Sequence, residues 1–328
     1  MKPRYFIFLC WTWVLCIWLK MAFYEDLEKG VAHTVFIPKG APILRVAFIL
    51  EREGIASGRL FLLFMFLTQK EKVVAGSYRI PPGRSIHRIA QELENGPPQE
   101  KVTFPEGLTS MQMSKILEEK GICSGEAYLQ FVAHPEIFQK RWLQGVSHLE
   151  GFLFPDTYYI SLSSSPQEVV EMQLEQFERL VLPLYERSST RLSLNEVVIL
   201  ASVVEKEASD DAEKPYVASV FLNRLQKGMR LQSCATVVYA HYWERGVYRE
   251  SLSTEDLQID SPFNTYLYRG LPPQAIGNAG LEAIRAILFP EKTDYLYFVL
   301  QENGKHSFST NYEEHLRKKG DRNGNVGK

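Results

Sequence analysis

One pattern, repeated three times in the first third of the chain, restricts what this sequence can fold into. Ile37-Pro38-Lys39-Gly40 is followed by apolar Ile43, Val46, Ala47 and Leu50, then Gly54. Ile80-Pro81-Pro82-Gly83 is followed by Ile86, Ile89, Ala90 and Leu93, then Gly96. Phe104-Pro105-Glu106-Gly107 is followed by Met113, Ser114 and Leu117, then Gly121. A Pro/Gly pair ends a strand in a turn. Apolar residues at i, i+3, i+4 and i+7 form one buried stripe on a helix. A glycine just past the stripe can take the left-handed conformation that stops the helix. Each unit therefore reads strand, turn, amphipathic helix, stop, and the fold class is α+β.

The rest of the body extends that reading. Helices are expected over 166–187, 194–208, 218–226 and 281–288, and strands over 295–300 and 306–309, with Asn303-Gly304 as the hairpin turn between those strands. Pro97-Pro98-Gln99 suits a linker. It divides a small domain, 25–98, from a larger one, 99–328.

Residues 1–24 read as an anchor. Lys2 and Arg4 precede an apolar run over 5–19, Lys20 interrupts it, Met21 to Tyr24 extend it, and Glu25, Asp26 and Glu28 follow. A span needs about 20 apolar residues. Positive charge before the run and acid after it place the N-terminus in the cytoplasm and the body outside. The rival, a cleaved signal peptide, lacks small residues at A-x-A spacing after the run. The expectation is a single-pass protein of the cytoplasmic membrane, touching the lipid bilayer through residues 5–24. Residues 61–67 are too short to span and read as part of a buried helix.

The net charge of −2 gives no footprint for nucleic acid. No CxxC and no His/Cys spacing suits a metal, and no motif asks for a cofactor. Cys123 and Cys234 are two cysteines of the body and make no disulfide framework.

One stretch stands out for chemistry. Ser193 and Glu196 have capping-box spacing, so a helix starts there. Residues 197–204 are apolar almost all round, so that helix is buried. Glu205 follows at once. Desolvation at the edge of an apolar helix favours a neutral carboxyl, which a general acid needs. Glu207, two residues on, points to roughly the other side, so the two do not face one cleft.

Several separated segments resemble the endolytic murein transglycosylase (MltG, YceG-like) family. They are the stretch from Glu150 to Tyr158, that from Leu200 to Ala208, Val220 to Leu225 with Gly228 to Gln232, Ser261 to Tyr266, Gly270 to Pro273, Tyr295 to Val299, and His306 to Ser309 with Asn311. The first two repeated units resemble the small LysM-like carbohydrate-binding fold, either as a glycan binder or as a spacer above the membrane. The resemblance implies a lytic enzyme of peptidoglycan, cutting between N-acetylmuramic acid and N-acetylglucosamine within a strand. The sugar's own C6 hydroxyl attacks and leaves a 1,6-anhydro end, so one carboxylate suffices where a hydrolase needs two. The resemblance places that carboxylate at Glu205. Gln232, Thr236, Tyr239, Asn264, Tyr266 and Asn311 are the expected glycan contacts, and Glu150, Asp156, Tyr158 and Glu207 the expected supports. Cell-wall synthases are implied partners. One departure is local: the family's Asp-Pro before the threonine is Cys234-Ala235 here. A non-catalytic glycan-binding scaffold, and a two-carboxylate hydrolase using Glu150 or Asp156, remain open on the sequence.

Overall fold

The three repeated turns fold alike. In the computed structural model, which describes residues 32–70, 72–249 and 251–324, the turn glycines Gly40, Gly83 and Gly107 have φ of 72°, 73° and 76°. The stop glycines Gly54, Gly96 and Gly121 have φ of 68°, 88° and 66°. All six sit in the left-handed region that side chains disfavour, so the repeat is a backbone requirement. The anchor expected over 1–24 lies outside the described residues. Among the described residues, no helix is long and apolar enough to cross a membrane.

The chain forms two compact units. The first comprises the described residues up to Val102, with Glu119–Cys123 and Tyr159–Ser165. Its elements are β1 (His33–Ile37), α1 (Ile43–Arg52), α2 (Gly58–Thr68), β2 (Gly76–Ile80) and α3 (Ile86–Asn95). The two strands pair antiparallel, from His33 opposite Ile80 to Ile37 opposite Gly76. Val35, Ile37, Tyr78 and Ile80 meet the apolar stripes Val46/Leu50, Phe61/Phe64/Met65 and Ile89/Leu93 in one core. Gly58 lets α2 approach α1: a Cβ there would lie 2.7 Å from the Ala47 carbonyl oxygen. The helix expected around 61–67 is α2, but it is buried on one side only, since Leu63, Phe66 and Leu67 are exposed. Ser161 returns to this unit and its hydroxyl donates to the Ser77 carbonyl at 3.4 Å.

The division between units passes through β3 (Gln99–Thr103) and β4 (Thr157–Ser161), which form a two-stranded sheet. The second unit holds α4 (Ser110–Glu119, up to Glu118), α5 (Gly125–Val132), α6 (Pro166–Arg187), α7 (Leu194–Glu207), α8 (Lys214–Gln226), α9 (Cys234–Arg245) and α10 (Leu281–Leu288). The hairpin β5 (Tyr297–Leu300) and β6 (His306–Ser309) and the last helix α11 (Tyr312–Gly324) complete it. The centre is α7. Ser193 and Glu196 form the expected capping box, with Glu196 N–H donating to Ser193 Oγ at 3.3 Å and Ser193 N–H to Glu196 Oε2 at 2.7 Å. Every residue from Val197 to Val204 is buried, because α8, α9 and α10 pack around it.

A residue not singled out from the sequence, Asn278, ties three segments of this unit together. Its Oδ1 accepts from Gly151 N–H at 2.8 Å and Leu153 N–H at 3.0 Å. Its Nδ2 donates to Leu108 O at 3.0 Å and Glu150 Oε1 at 2.8 Å. Its main chain exchanges bonds with Gly107 and Leu108 at 2.7 and 2.8 Å. It is 0 % exposed, and both its side-chain and main-chain polar groups are paired.

Candidate active site

The last turn of α7 sends its charged side chains in different directions. Successive helical residues are about 100° apart, so Glu205 and Glu207 diverge by about 200°. Glu205 turns inward, with its side chain 9 % exposed. Its carboxylate accepts from Lys214 Nζ at 3.1 and 3.3 Å and from Gly280 N–H at 3.0 Å. Lys214 is 2 % exposed and also meets Asp211 at 2.7 Å and Glu106 at 3.6 Å. Burial and the neighbouring Glu205 charge push the Glu106 carboxyl up from its ordinary value. Gly280 has no room for a side chain, since a Cβ would sit 1.9 Å from the Glu106 carboxylate. Glu205 is thus held in a buried ion cluster, beyond the desolvation at the edge of an apolar helix expected from the sequence.

Glu207 turns the other way and lines a cavity of about 480 Å³. Its Oε1 accepts from the Ser233 hydroxyl and from Ala235 N–H at 3.4 Å. Among the described residues, its Oε2 has no hydrogen-bond partner. Glu205 is not among the residues lining this cavity. Cys234 and Ala235, the departure noted above, are in its wall. Cys234 is a free thiol, with Sγ 3.1 Å from the Tyr266 hydroxyl.

A second cavity, about 570 Å³, adjoins the first and shares Met111, Lys115, Tyr239 and Tyr242 with it. Trp243 and Glu150 add to its lining. Tyr239 and Trp243 stack with ring centroids 6.2 Å apart and planes 22° apart. The Tyr242 hydroxyl is buried and, among the described residues, has no partner. Aromatic faces beside a free hydroxyl suit a sugar, whose C–H faces stack and whose hydroxyls hydrogen-bond. Tyr239, Tyr242 and Trp243 follow i, i+3, i+4 on α9, a spacing visible in the sequence, although only Tyr239 was expected to contact glycan.

The other expected contacts are placed as follows. Thr236 is fully buried and bonds Ser233 O and Thr265 Oγ1, both at 2.8 Å. Asn264 donates to Leu257 O at 2.9 Å and Ile259 O at 2.8 Å. Gln232 is exposed in a turn, with φ of 50°. Asn311 accepts from Glu314 N–H at 2.9 Å at the start of α11. Tyr158 donates to Phe154 O at 2.7 Å, and Asp156 is exposed and accepts from Thr157 N–H at 2.6 Å. None of these six, nor Tyr266, lines either cavity. Only Glu207, Tyr239 and Glu150 do.

Glu150 is buried at 3 % exposure, and both its oxygens are engaged. Ser110 N–H donates at 2.9 and 3.1 Å, Ser110 Oγ at 2.7 Å and Asn278 Nδ2 at 2.8 Å. Burial outweighs these donors and pushes its carboxyl from 4.5 up to about 7. The unfolded chain loses this proton near 4.5 and the folded chain near 7. Between those values the folded state holds more protons, so stability falls as pH rises. The fall is about 3 kcal/mol on linkage. Urea unfolding at pH 4.5 and pH 8 should show it, and Glu150→Gln should remove that part of the slope. An unchanged slope in the variant would mean that Glu150 titrates alike in the folded and unfolded chain.

The YceG-like family matches residues 35–321 of this chain. A protein of Bacillus subtilis (strain 168) described as an endolytic murein transglycosylase is 31 % identical over 319 residues, covering 90 % of this chain and 86 % of that protein. A Streptococcus pneumoniae (strain D39) protein of the same description is 30 % identical over 326 residues, and the match takes in 89 % of this chain but only 58 % of that longer relative. The crystal structure of a YceG-like protein from Listeria monocytogenes superposes with a TM-score of 0.57 at 28 % identity, covering 88 % of this chain and 99 % of that one. With the match spanning both units and the carboxylate-lined cavity, the chain belongs to the YceG-like family.

Proposed function

We propose that this chain is an endolytic murein transglycosylase whose acid/base group is Glu207. The observation that carries the residue assignment is the division of labour at the end of α7. Glu205 is taken up by Lys214 and Gly280, while Glu207 lines the cavity and has an unengaged Oε2. Ser233 and Ala235 fix Oε1, so Oε2 is the atom that moves the proton. Oε2–H protonates the glycosidic oxygen as the bond to the muramic C1 breaks. The resulting carboxylate then takes the proton from that sugar's C6 hydroxyl as C6–O closes on C1. The attacking hydroxyl is tethered to the reacting carbon, so its effective concentration is far above any solution value. A hydrolase would need a second carboxylate to activate water. Glu150, the other carboxylate lining these cavities, has both oxygens saturated by Ser110 and Asn278. The aromatic wall Tyr239/Tyr242/Trp243 holds the glycan, and the two adjoining cavities on either side of it support cleavage within a strand.

The membrane setting belongs to the same reading. The apolar run 5–24 holds the body outside the cytoplasmic membrane, beside the synthases that make the strands. The strand–helix–helix–strand order of the first unit supports its LysM-like assignment. Mass spectrometry of uncrosslinked peptidoglycan digested by the full-length protein in detergent tests the reaction. Fragments lighter by one water than hydrolysis products are expected. Reducing ends would indicate a hydrolase, and intact strands a non-catalytic scaffold.

A further inference from the structure

Met111 and Lys115 lie one turn apart on α4 and line both cavities described above. They also line a third, about 530 Å³, that the proposed reaction does not use. This third depression runs between α4 and α5; it shares Leu129 and Ala133 with the second cavity, while Ser114, Glu118, Glu126 and Gln130 line it alone. The groove therefore forks at Met111 and Lys115. A bare polysaccharide has no use for a fork, but a strand that carries side branches does. Each muramic residue bears a peptide stem on its lactyl group.

We infer that the arm between α4 and α5 takes the peptide stem of a muramic residue and that Lys115 recognises a stem carboxylate at the fork. The inference rests on the transglycosylase reading. The charges of the arm complement those of a stem. After the first alanine, a γ-linked glutamate leaves its α-carboxylate free, and Lys115 stands at the entrance with, among the described residues, no partner of its own. A diamino acid follows, with a free amine or ammonium where it is not crosslinked. Glu118 and Glu126 line the arm and neither of the other two cavities, both exposed and, among the described residues, without a hydrogen-bond or ion-pair partner. Alanine methyl groups match Met111, Leu129 and Ala133. A free lysine ammonium meeting a carboxylate in a partly enclosed groove makes a charge-assisted bond, stronger than a neutral one.

Three substrates and two variants test this with full-length protein. Uncrosslinked strands with intact stems are compared with the same strands stripped by an amidase, and with strands whose stem glutamate is amidated. Wild-type kcat/KM is expected to be about ten-fold higher on stem-bearing than on stripped strands, the size of one charge-assisted contact. In Lys115→Ala that ratio should fall toward one, through KM, and Lys115→Arg should restore it. Amidation should reproduce the loss in wild type and add nothing to Lys115→Ala, since the two changes remove the same contact. Lys115 is exposed, so the variants should unfold like wild type. A wild-type ratio near one, or an equal loss on stem-bearing and stripped strands in Lys115→Ala, overturns the inference while anhydro ends still appear. Absence of anhydro ends from every substrate overturns the reaction itself, and the fork with it.

Discussion

Glu207→Gln is expected to lower the rate of anhydro-end formation by about 10³-fold, the middle of the range for a positioned acid/base group. The amide keeps the shape of the carboxylate and can still accept from Ser233 Oγ and Ala235 N–H through its oxygen. It cannot deliver a proton to the leaving oxygen or take one from the C6 hydroxyl, so both halves of the reaction fail together. Binding to strands should change little, because the cavity and its aromatic wall stay in place. Glu205→Gln is the contrast. Its site is the Lys214 cluster, outside the cavity lining, so its effect should fall on stability, with activity kept within about ten-fold once the protein is folded. Single-turnover rates measured on both folded variants decide the matter. Full activity in Glu207→Gln, with a dead but folded Glu205→Gln, would return the acid/base role to Glu205. The two glutamates stand two positions apart on the helix, with Lys206 between them, and the 3.6-residue period makes the experiment discriminating: one turn of backbone cannot aim both at one bond.

Local rules carried much of this fold. The three repeated turns, the Ser193 capping box, α6 and α10 to the residue, and the Asn303-Gly304 hairpin are set by a few neighbouring residues, and each occurs where its pattern lies. The helix period also separated Glu205 from Glu207. It could not say which of the two met the cavity, because that depends on partners distant in the chain. Lys214 comes from α8, Gly280 from the loop before α10, and Ser233 and Ala235 from the start of α9. Motif residues divided for the same reason. Thr236 and Asn264 look like sugar ligands in one dimension, yet their polar groups close turns against Thr265, Leu257 and Ile259. Asn278 went unremarked because a single asparagine has no periodicity. Its importance comes from two distant segments, 107–108 and 150–153, that only the fold brings to it.

Lys214→Ala is expected to destabilise the protein by about 3–5 kcal/mol, the range seen when one partner of a buried ion pair is removed. Lys214 is 2 % exposed, and its ammonium is the one cation that Glu205, Asp211 and Glu106 share at 3.1, 2.7 and 3.6 Å. Burial alone would lower the Lys214 value, but its hydrogen bond to Asp211 and the charge of Glu205 raise it overall, so the lysine stays charged through the neutral range. Its stabilising share is complete below the lysine's unfolded value and fades only as pH rises through the raised folded one. Neutral pH is therefore where the loss is fully seen. Alanine leaves Glu205, 9 % exposed, with the Gly280 amide as its remaining partner, and leaves a hole where the lysine stem was. The double variant Lys214→Met/Glu205→Leu removes both charges and fills the space, so it should recover most of the loss. Denaturant unfolding at pH 7 measures all three proteins. A loss under about 1 kcal/mol in Lys214→Ala, the size of an exposed pair, would show that water screens the cluster. The outcome matters for the cavity as well. Gly280 N–H holds Glu205 from the same loop whose Ile276 N–H bonds Ser202 at 3.0 Å and whose Ile276 side chain lines the Glu207 cavity. Releasing that loop should therefore raise KM in the part of the population that remains folded. The inward glutamate then acts on the reaction through the wall it anchors, while its neighbour two residues on moves the proton.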